Sequence, residues 1–94
     1  MDKMKRIFEM IPDNGRKSFY GKAKVIEHEN GIVSLLSYDT VVCSIDPKDK
    51  KFYRHWTGYS NTTMQHINTF RRLYGLETMT AKQYRSYITI PYNE

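Results

Sequence analysis

The sequence predicts an α+β fold in which a four-stranded antiparallel meander packs against one main α-helix, with short flanking helices. Three observations support this prediction. Short stretches rich in β-forming residues alternate with brief turns over residues 21–56. Asn30-Gly31 lies between two apolar runs, where it is a strong hairpin signal. Residues 60–75 then carry a helical period between a start signal and a stop signal.

The first predicted element is a short amphipathic helix over residues 2–11. Its apolar residues recur at spacings of three and four, and they are Met4, Ile7, Phe8 and Ile11. Asp2 is the candidate N-cap, and Pro12 would end the helix. Asp13-Asn14-Gly15 predicts a turn, because Asn and Gly tolerate positive φ. Residues 1–16 are therefore expected to form an N-terminal helix or arm.

Four strands follow in the prediction, and brief connections make them an antiparallel meander. They are expected at residues 21–27, 32–38, 40–45 and 51–56. Asn30-Gly31 predicts a type I′ turn, which needs positive φ at both central residues. Asp39-Thr40 is expected to form the next tight turn, and Pro47 presets φ in the third.

The segment from Trp56 to Gly75 contains the clearest helix. Ser60 or Asn61 can accept a hydrogen bond from a first-turn N–H group, and Gly75 can adopt the left-handed conformation that ends the helix. One face is apolar, with Met64, Ile67, Phe70 and Tyr74, and the other is polar, with Gln65, Asn68, Thr69 and Arg72. The apolar stripe is expected to lie across the sheet.

The C-terminal part is expected to hold a short helix and a tail. Thr80 is the N-cap candidate for a helix over residues 81–87. Residues 88–90 alternate in polarity, so they form either a fifth edge strand or an extended tail. The 94 residues suit one small domain, made of the arm (1–16), the sheet with its main helix (18–75), and the short helix and tail (76–94).

Composition and charge restrict the functional classes. The net charge is +5, and the basic excess lies at the two ends of the chain, whereas residues 25–50 are acidic. A basic face attracts phosphate backbones or acidic proteins. The single cysteine, Cys43, lies in an apolar run, which predicts a buried thiol and a reducing, cytoplasmic setting. No stretch is long and apolar enough for a membrane span, so no membrane partner is expected.

No catalytic, metal-binding or cofactor-binding residues are predicted. The three histidines, His28, His55 and His66, lack a second ligand at metal-like spacing. Hydroxyl residues beside His66 suggest a nucleophile and a base, but the helix N-terminus needs their oxygens as caps. Capping is the favoured interpretation.

Tyrosine and arginine residues give the best candidate binding surface. The chain has eight tyrosines, and several lie near basic residues. Such residues form either a stacking platform for nucleic acid or a protein-binding patch. The residues expected to contact a partner are Tyr53, Arg54, Tyr59, Gln65, Asn68, Arg71, Arg72, Tyr84 and Arg85.

Three blocks carry a resemblance to a known family. They are Ser18-Phe19-Tyr20-Gly21-Lys22-Ala23, Ser37-Tyr38-Asp39-Thr40 and Gly58-Tyr59-Ser60-x-Thr62-Thr63-x-x-His66-Ile67-x-x-Phe70. They resemble a family of short proteins and domains of unknown function found in phages and mobile elements of Gram-positive bacteria. The resemblance implies a phage or prophage setting and a product in the host cytoplasm, and it supplies no catalytic residues.

The expected function is that of a non-enzymatic phage accessory protein that binds a host protein or ribonucleoprotein complex. Inhibition of a bacterial defence system such as CRISPR is one concrete version. The alternative is a small basic nucleic-acid-binding protein, for which the charged ends are the evidence. An enzyme is the third hypothesis, and it has only the cluster around His66 as support.

Overall fold

In the part of the chain that the structure describes, a five-stranded antiparallel sheet and two helices make up the fold. The computed structural model describes residues 4–11, 19, 21–58 and 60–92. In chain order the elements are β1 (Met4–Glu9), β2 (Ala23–His28), β3 (Val33–Ser37), β4 (Thr40–Asp46), β5 (Lys51–Arg54), α1 (Asn61–Leu73) and α2 (Ala81–Ser86). The strand order across the sheet is the order in the sequence. The predicted α+β class, an antiparallel meander packed against one main helix, is therefore confirmed, with five strands in the described residues where four were expected.

The helix predicted over residues 2–11 is wrong, because residues 4–9 form strand β1. This strand pairs antiparallel with β2, and Ile7 lies opposite Ile26. A short amphipathic helix is marginal on its own, whereas the edge of β2 offers backbone partners to an extended strand. Phe8 packs against the core, while Ile7 remains 43% exposed. The proposed cap and turn at residues 2 and 12–15 lie outside the described residues.

The first hairpin turn differs in type from the prediction. Gly31 has a φ of 94°, but Asn30 is not among the residues with positive φ, so the turn is not type I′. The N–H of Gly31 donates to the carbonyl of His28, and the N–H of His28 donates to the carbonyl of Ile32. This pattern is that of a three-residue loop in which glycine takes the left-handed position.

Helix α1 lies on one face of the sheet, against β3 and β4. Met64, Ile67 and Phe70 are buried, as predicted, and Tyr74 is half-buried against Phe70. The helix therefore closes the main hydrophobic core. Separately, none of the described helices is long and apolar enough to span a membrane.

The ends of α1 follow the predicted signals. The hydroxyl of Ser60 accepts a hydrogen bond from the N–H of Thr63 at 3.0 Å, which makes Ser60 the N-cap. Gly75 has a φ of 82°, and the N–H of Leu76 donates to the carbonyl of Arg71. The helix thus ends in a Schellman motif, the usual glycine-terminated end.

Residues 88–90, where the sequence allowed either an edge strand or an extended tail, form an extended tail with a single bridge to the sheet. Thr89 forms one isolated parallel bridge with Arg54, and the N–H of Ile90 donates to the carbonyl of Arg54 at 2.7 Å. Thr80 caps α2 and forms a capping box with Gln83. The bridge of Thr89 and the hydrogen bond of Ile90 place the tail along the outer edge of β5.

Candidate functional site

The residues predicted to bind a partner do not form one surface. Gln65, Arg72 and Arg85 are exposed, Tyr53, Asn68 and Arg71 are half-buried, and Arg54 and Tyr84 are buried. Tyr59 lies outside the described residues. The exposed residues can reach a partner, whereas the buried ones cannot.

Arg54 is a structural residue, contrary to its expected role on the binding surface. Its side chain is only 7% exposed. Its guanidinium donates hydrogen bonds to four backbone carbonyls, those of Trp56, Thr57, Arg85 and Tyr87, over 2.8–3.1 Å. The fork of donors therefore ties β5 and the loop after it to the end of α2.

Tyr84 is also structural, because it is fully buried. Its hydroxyl lies 2.9 Å from the carbonyl oxygen of Val42 and 3.0 Å from that of Trp56, and the Arg54 guanidinium stacks on its ring. Burial is the main factor that raises the pKa of Tyr84 to about 12. The hydroxyl therefore stays protonated and serves as a donor inside the protein.

Asn68 and Arg71 hold the loop that follows α1. The side-chain amide of Asn68 donates to the carbonyl of Met79 at 3.0 Å and accepts from its N–H at 2.7 Å. Arg71 lies over the Phe52 ring and donates to the carbonyl of Glu77 at 2.6 Å. Both side chains therefore support α2 as well as facing outward in part.

The cluster around His66 is buried and belongs to the core. His66 is 1% exposed, and its Nδ1 lies 2.8 Å from the hydroxyl of Ser37. The same hydroxyl lies 3.2 Å from that of Thr63, and the rings of Phe19 and Tyr38 flank the imidazole. The geometry supports the structural interpretation of this cluster, because its polar atoms bond to one another below the surface.

The outward surface of α1 contains two adjoining grooves. The polar groove is lined by Asn61, Met64, Gln65, Asn68, Thr69 and Arg72. The apolar groove lies between the end of β1 and the end of α1, and it is lined by Phe8, Glu9, Met10, Ile11, Thr69, Arg72 and Leu73. Thr69 and Arg72 line both grooves, so the two form a continuous surface.

The opposite face of the sheet carries a chain of polar side chains that we call the polar seam, formed by His28, Ser34, Ser44, His55 and Tyr92. Its contacts run from the Tyr92 hydroxyl to His28 Nε2 (2.9 Å), on to Ser34 (3.2 Å), to Ser44 (2.7 Å) and to His55 Nε2 (2.8 Å). A pocket of about 180 Å³ lies over the seam. The seam joins strands β2, β3 and β4 to His55, which directly follows β5, and binds the C-terminal tail to this face of the sheet.

A contact of His55 with the tail determines the direction of the hydrogen bonds at this end of the polar seam. His55 Nδ1 lies 2.6 Å from the carbonyl oxygen of Ile90, which can only accept, so Nδ1 carries the proton. Burial lowers the pKa of His55, which favours the neutral ring whose Nε2 accepts from Ser44. Ser44 in turn accepts from Ser34. Because Ser44 is 3% exposed and held on both sides, its hydroxyl is a structural group rather than an exposed nucleophile.

Sequence reasoning missed the polar seam. One signal was present, since Ser34 and Ser44 each lie between two buried apolar residues of their strands. The pairing of Ser34 with Ser44 depends on an irregularity after Leu35, which shifts the register between β3 and β4. Without that shift, the turn alone would place Ser34 opposite Cys43.

Metal and cofactor sites were not predicted, and the described residues hold no cluster of three or more histidine, cysteine, aspartate or glutamate residues suited to a metal ion. Cys43 is fully buried, as expected, and burial raises the pKa of its thiol. It is therefore held as an unreactive thiol in the core.

Comparison with known proteins gives a family but no function. The chain matches no curated protein and no solved structure. A family model described as a family of unknown function, DUF8033, matches residues 8–88. That match covers β1 from Phe8 onward, the rest of the sheet and both helices. The chain belongs to this family of unknown function, DUF8033.

Proposed function

We propose that this protein is a non-enzymatic accessory protein of phages or mobile elements that binds a host protein or ribonucleoprotein complex in the host cytoplasm. Inhibition of a bacterial defence system such as CRISPR is the concrete version that can be tested directly. The binding surface in this proposal is the apolar groove together with the polar groove beside it on α1.

The apolar groove is the observation that carries the proposal. Ile11 is 60% exposed and Leu73 is 53% exposed, although both are large apolar side chains. They lie on a concavity of about 370 Å³ to which the buried Met10 also contributes. Apolar side chains exposed together beside polar ones are typical of protein-binding sites.

The rim of this groove suits recognition of a protein. Glu9 and Arg72 line it and have opposite charges. Gln65 and Asn61 extend the surface along α1 with neutral hydrogen-bonding groups. An apolar centre with a polar rim is the usual arrangement of a specific interface.

The nucleic-acid alternative has weaker support from the contacts of the tyrosines. Tyr84 is buried, Tyr87 packs edge-on against Phe52, and the Tyr92 hydroxyl contacts His28. Each of these three rings therefore packs on a different neighbour instead of joining one stacking platform, although Tyr87 remains 38% exposed. The net positive charge remains as the argument for nucleic acid.

The first experiment compares partner capture by matched variants. Leu73→Glu places a charge in the apolar groove, and Ile88→Glu places one at a side chain that is 82% exposed and does not line that groove. We expect a stoichiometric host partner to be recovered by the wild type and Ile88→Glu. Leu73→Glu should lose it, and with the purified partner its Kd should rise about tenfold or more. Equal binding by both variants would exclude the apolar groove as the interface.

The second experiment tests the defence version of the proposal. Expression in a CRISPR-immune host should restore plaque formation by a targeted phage, and Leu73→Glu should abolish the effect. Unchanged immunity with the wild type would reject this version. Binding to DNA or RNA at about 50 mM salt, lost steeply as salt rises, would instead favour the nucleic-acid alternative.

A further inference from the structure

We propose that residues 88–92 form a pH-sensitive strap, which closes the pocket over the polar seam and opens as the solution becomes acidic. Pro91 and Tyr92 of the strap line this pocket of about 180 Å³ together with residues of the sheet. The inference goes beyond the proposed function, because the two grooves of that proposal lie beside α1 and share no residue with this pocket.

The strap is held to the sheet by a small set of contacts. The N–H of Ile90 donates to the carbonyl of Arg54 at 2.7 Å, and the carbonyl of Ile90 accepts from His55 at 2.6 Å. The ring of Tyr92 packs against both histidines of the seam, and its hydroxyl contacts one of them at 2.9 Å. Ile90 is 42% exposed, so its burial adds little. A segment held in this way opens at a lower free energy than the core does.

The strap begins directly after a firmly held residue. The carbonyl of Tyr87 accepts from the Arg54 guanidinium at 3.1 Å, and the Tyr87 ring packs edge-on against Phe52. Ile88 comes next and is 82% exposed. We therefore place the hinge at Ile88, since rotation there moves the strap while α2 keeps its contacts with Arg54.

The hydrogen bonds around Ser44 are satisfied only while His55 is neutral. His55 Nε2 then accepts from Ser44, whose oxygen accepts from Ser34. A proton on Nε2 makes that atom a donor, so the Ser44 hydroxyl receives two hydrogen bonds and its own O–H loses its acceptor. Reversing the bonds would pass the surplus proton to His28, whose Nδ1 is buried without a partner among the described residues. Opening the strap admits water, which can accept the surplus hydrogen bond.

Proton uptake by His55 therefore favours the open strap. In the closed form burial lowers the pKa of His55, and this effect outweighs the hydrogen bond to Ile90, which raises it. In the open form the ring meets water, and its pKa returns toward the ordinary value of 6.5. Closure is thus most favourable above about pH 6.5 and weakens as the pH falls below that value.

The groups that face His55 leave one alternative sensor. His28 of β2, Tyr53 of β5 and Tyr92 of the strap line the same pocket, and no carboxylate, lysine or arginine lines it among the described residues. The charged pair Asp46 and Lys51 lies farther along β4 and β5, outside the pocket. Histidine is the side chain whose ordinary pKa lies between pH 5 and 8, so His28 is the alternative to be separated by experiment.

Hydrogen exchange at two amides tests the strap in the wild-type protein. The N–H of Ile90 is bonded across the closed strap, whereas the N–H of His55 donates to the carbonyl of Val42 in β4 at 2.9 Å. After correction for intrinsic exchange rates, protection of the Ile90 amide should fall about tenfold between pH 7.5 and 5.5. Protection of the His55 amide should fall less, because the sheet stays closed.

Two histidine variants identify the sensor. His55→Asn keeps a donor near the position of Nδ1 but takes up no proton, so protection of the Ile90 amide should be equal at the two pH values. His28→Gln should keep the fall, because His55 still titrates. Circular dichroism at both pH values controls for folding of each variant.

Two variants within the strap test what holds it closed. Tyr92→Ala removes the contacts at the far end of the strap and should lower protection of the Ile90 amide about tenfold at pH 7.5. Ile88→Ala is the matched control, because that side chain is exposed and should leave protection unchanged. Equal protection in Tyr92→Ala and Ile88→Ala would show that Tyr92 does not fasten the strap.

Three results would overturn the proposal. Equal protection of the Ile90 amide at both pH values in the wild type would reject a pH-sensitive strap. A fall of the same size at the Ile90 and His55 amides would show that the sheet opens as a whole. A fall that persists in His55→Asn and disappears in His28→Gln would reject His55 as the sensor.

Discussion

At the scale of single residues, local sequence does not distinguish a structural tyrosine or arginine from one that binds a partner. Tyr84 and Arg54 have the composition of an interface, but their polar groups bond to backbone carbonyls inside the protein. Their burial depends on where α2 packs, which is a long-range property. Ser60 was predictable as a cap because its partner, Thr63, is three residues away.

The first residue-scale prediction concerns the hydroxyl of Tyr84. Tyr84→Phe keeps the ring but removes the donor to the carbonyls of Val42 and Trp56. The free energy of unfolding should fall by about 1 kcal/mol, because the buried hydrogen bond of the hydroxyl is lost while both carbonyls keep another donor, the Val42 carbonyl from the N–H of His55 and the Trp56 carbonyl from Arg54. Urea denaturation measures the change. Tyr38→Phe is the matched control, since Tyr38 is 49% exposed and should change stability by less than about 0.5 kcal/mol. Equal losses would show that the Tyr84 hydroxyl has no special role.

The second residue-scale prediction concerns pH. Burial lowers the pKa of His55 below its ordinary value of 6.5, so the unfolded chain binds a proton more readily than the folded protein does. Stability should therefore begin to fall as pH drops below about 6.5, and the loss should be complete below the folded pKa. His55→Gln removes this contribution, so its unfolding free energy should change less between pH 7.5 and 5.5. Parallel pH profiles for wild type and variant would contradict the assignment.

At the scale of elements, strong local signals were sufficient for α1 but not for β1. Helix α1 has thirteen residues, a cap at each end and a sustained apolar period. Strand β1 has six residues, which is fewer than two turns of a helix, so an apolar spacing of three and four is too short a pattern to exclude a strand. Backbone pairing with β2 decided between the two conformations, and no local pattern records the availability of that partner. The irregularity between β3 and β4 was unpredictable for the same reason.

The element-scale prediction tests the packing of α1. Ile67 is fully buried between the helix and the sheet, so Ile67→Asp places an unpaired carboxylate in the core. We expect a loss of about 3 kcal/mol or more, or complete unfolding, in thermal or urea denaturation. Gln65→Asp is the control on the exposed side of the same helix and should stay within about 0.5 kcal/mol of wild type. Retained stability of Ile67→Asp would show that this face is not core.

At the scale of the whole molecule, the fold class was predictable and the candidate surfaces were not. Turn residues and apolar periods determine a meander and a covering helix, and both are local properties. The apolar groove brings together residues of β1 and α1 that are about sixty positions apart in the chain. The polar seam likewise joins His28 to Tyr92. Sites assembled in this way depend on tertiary packing, which a single sequence does not state.

The strand order also has a consequence for folding kinetics. Each strand pairs with its immediate neighbours in the chain, and the connections between β2, β3, β4 and β5 are only two to four residues long, whereas thirteen residues join β1 to β2. A low contact order of this kind favours rapid folding for a sheet-rich protein. The tail contacts of Arg54 and His55 join distant parts of the chain. We therefore expect them to form late, after the hairpins have assembled.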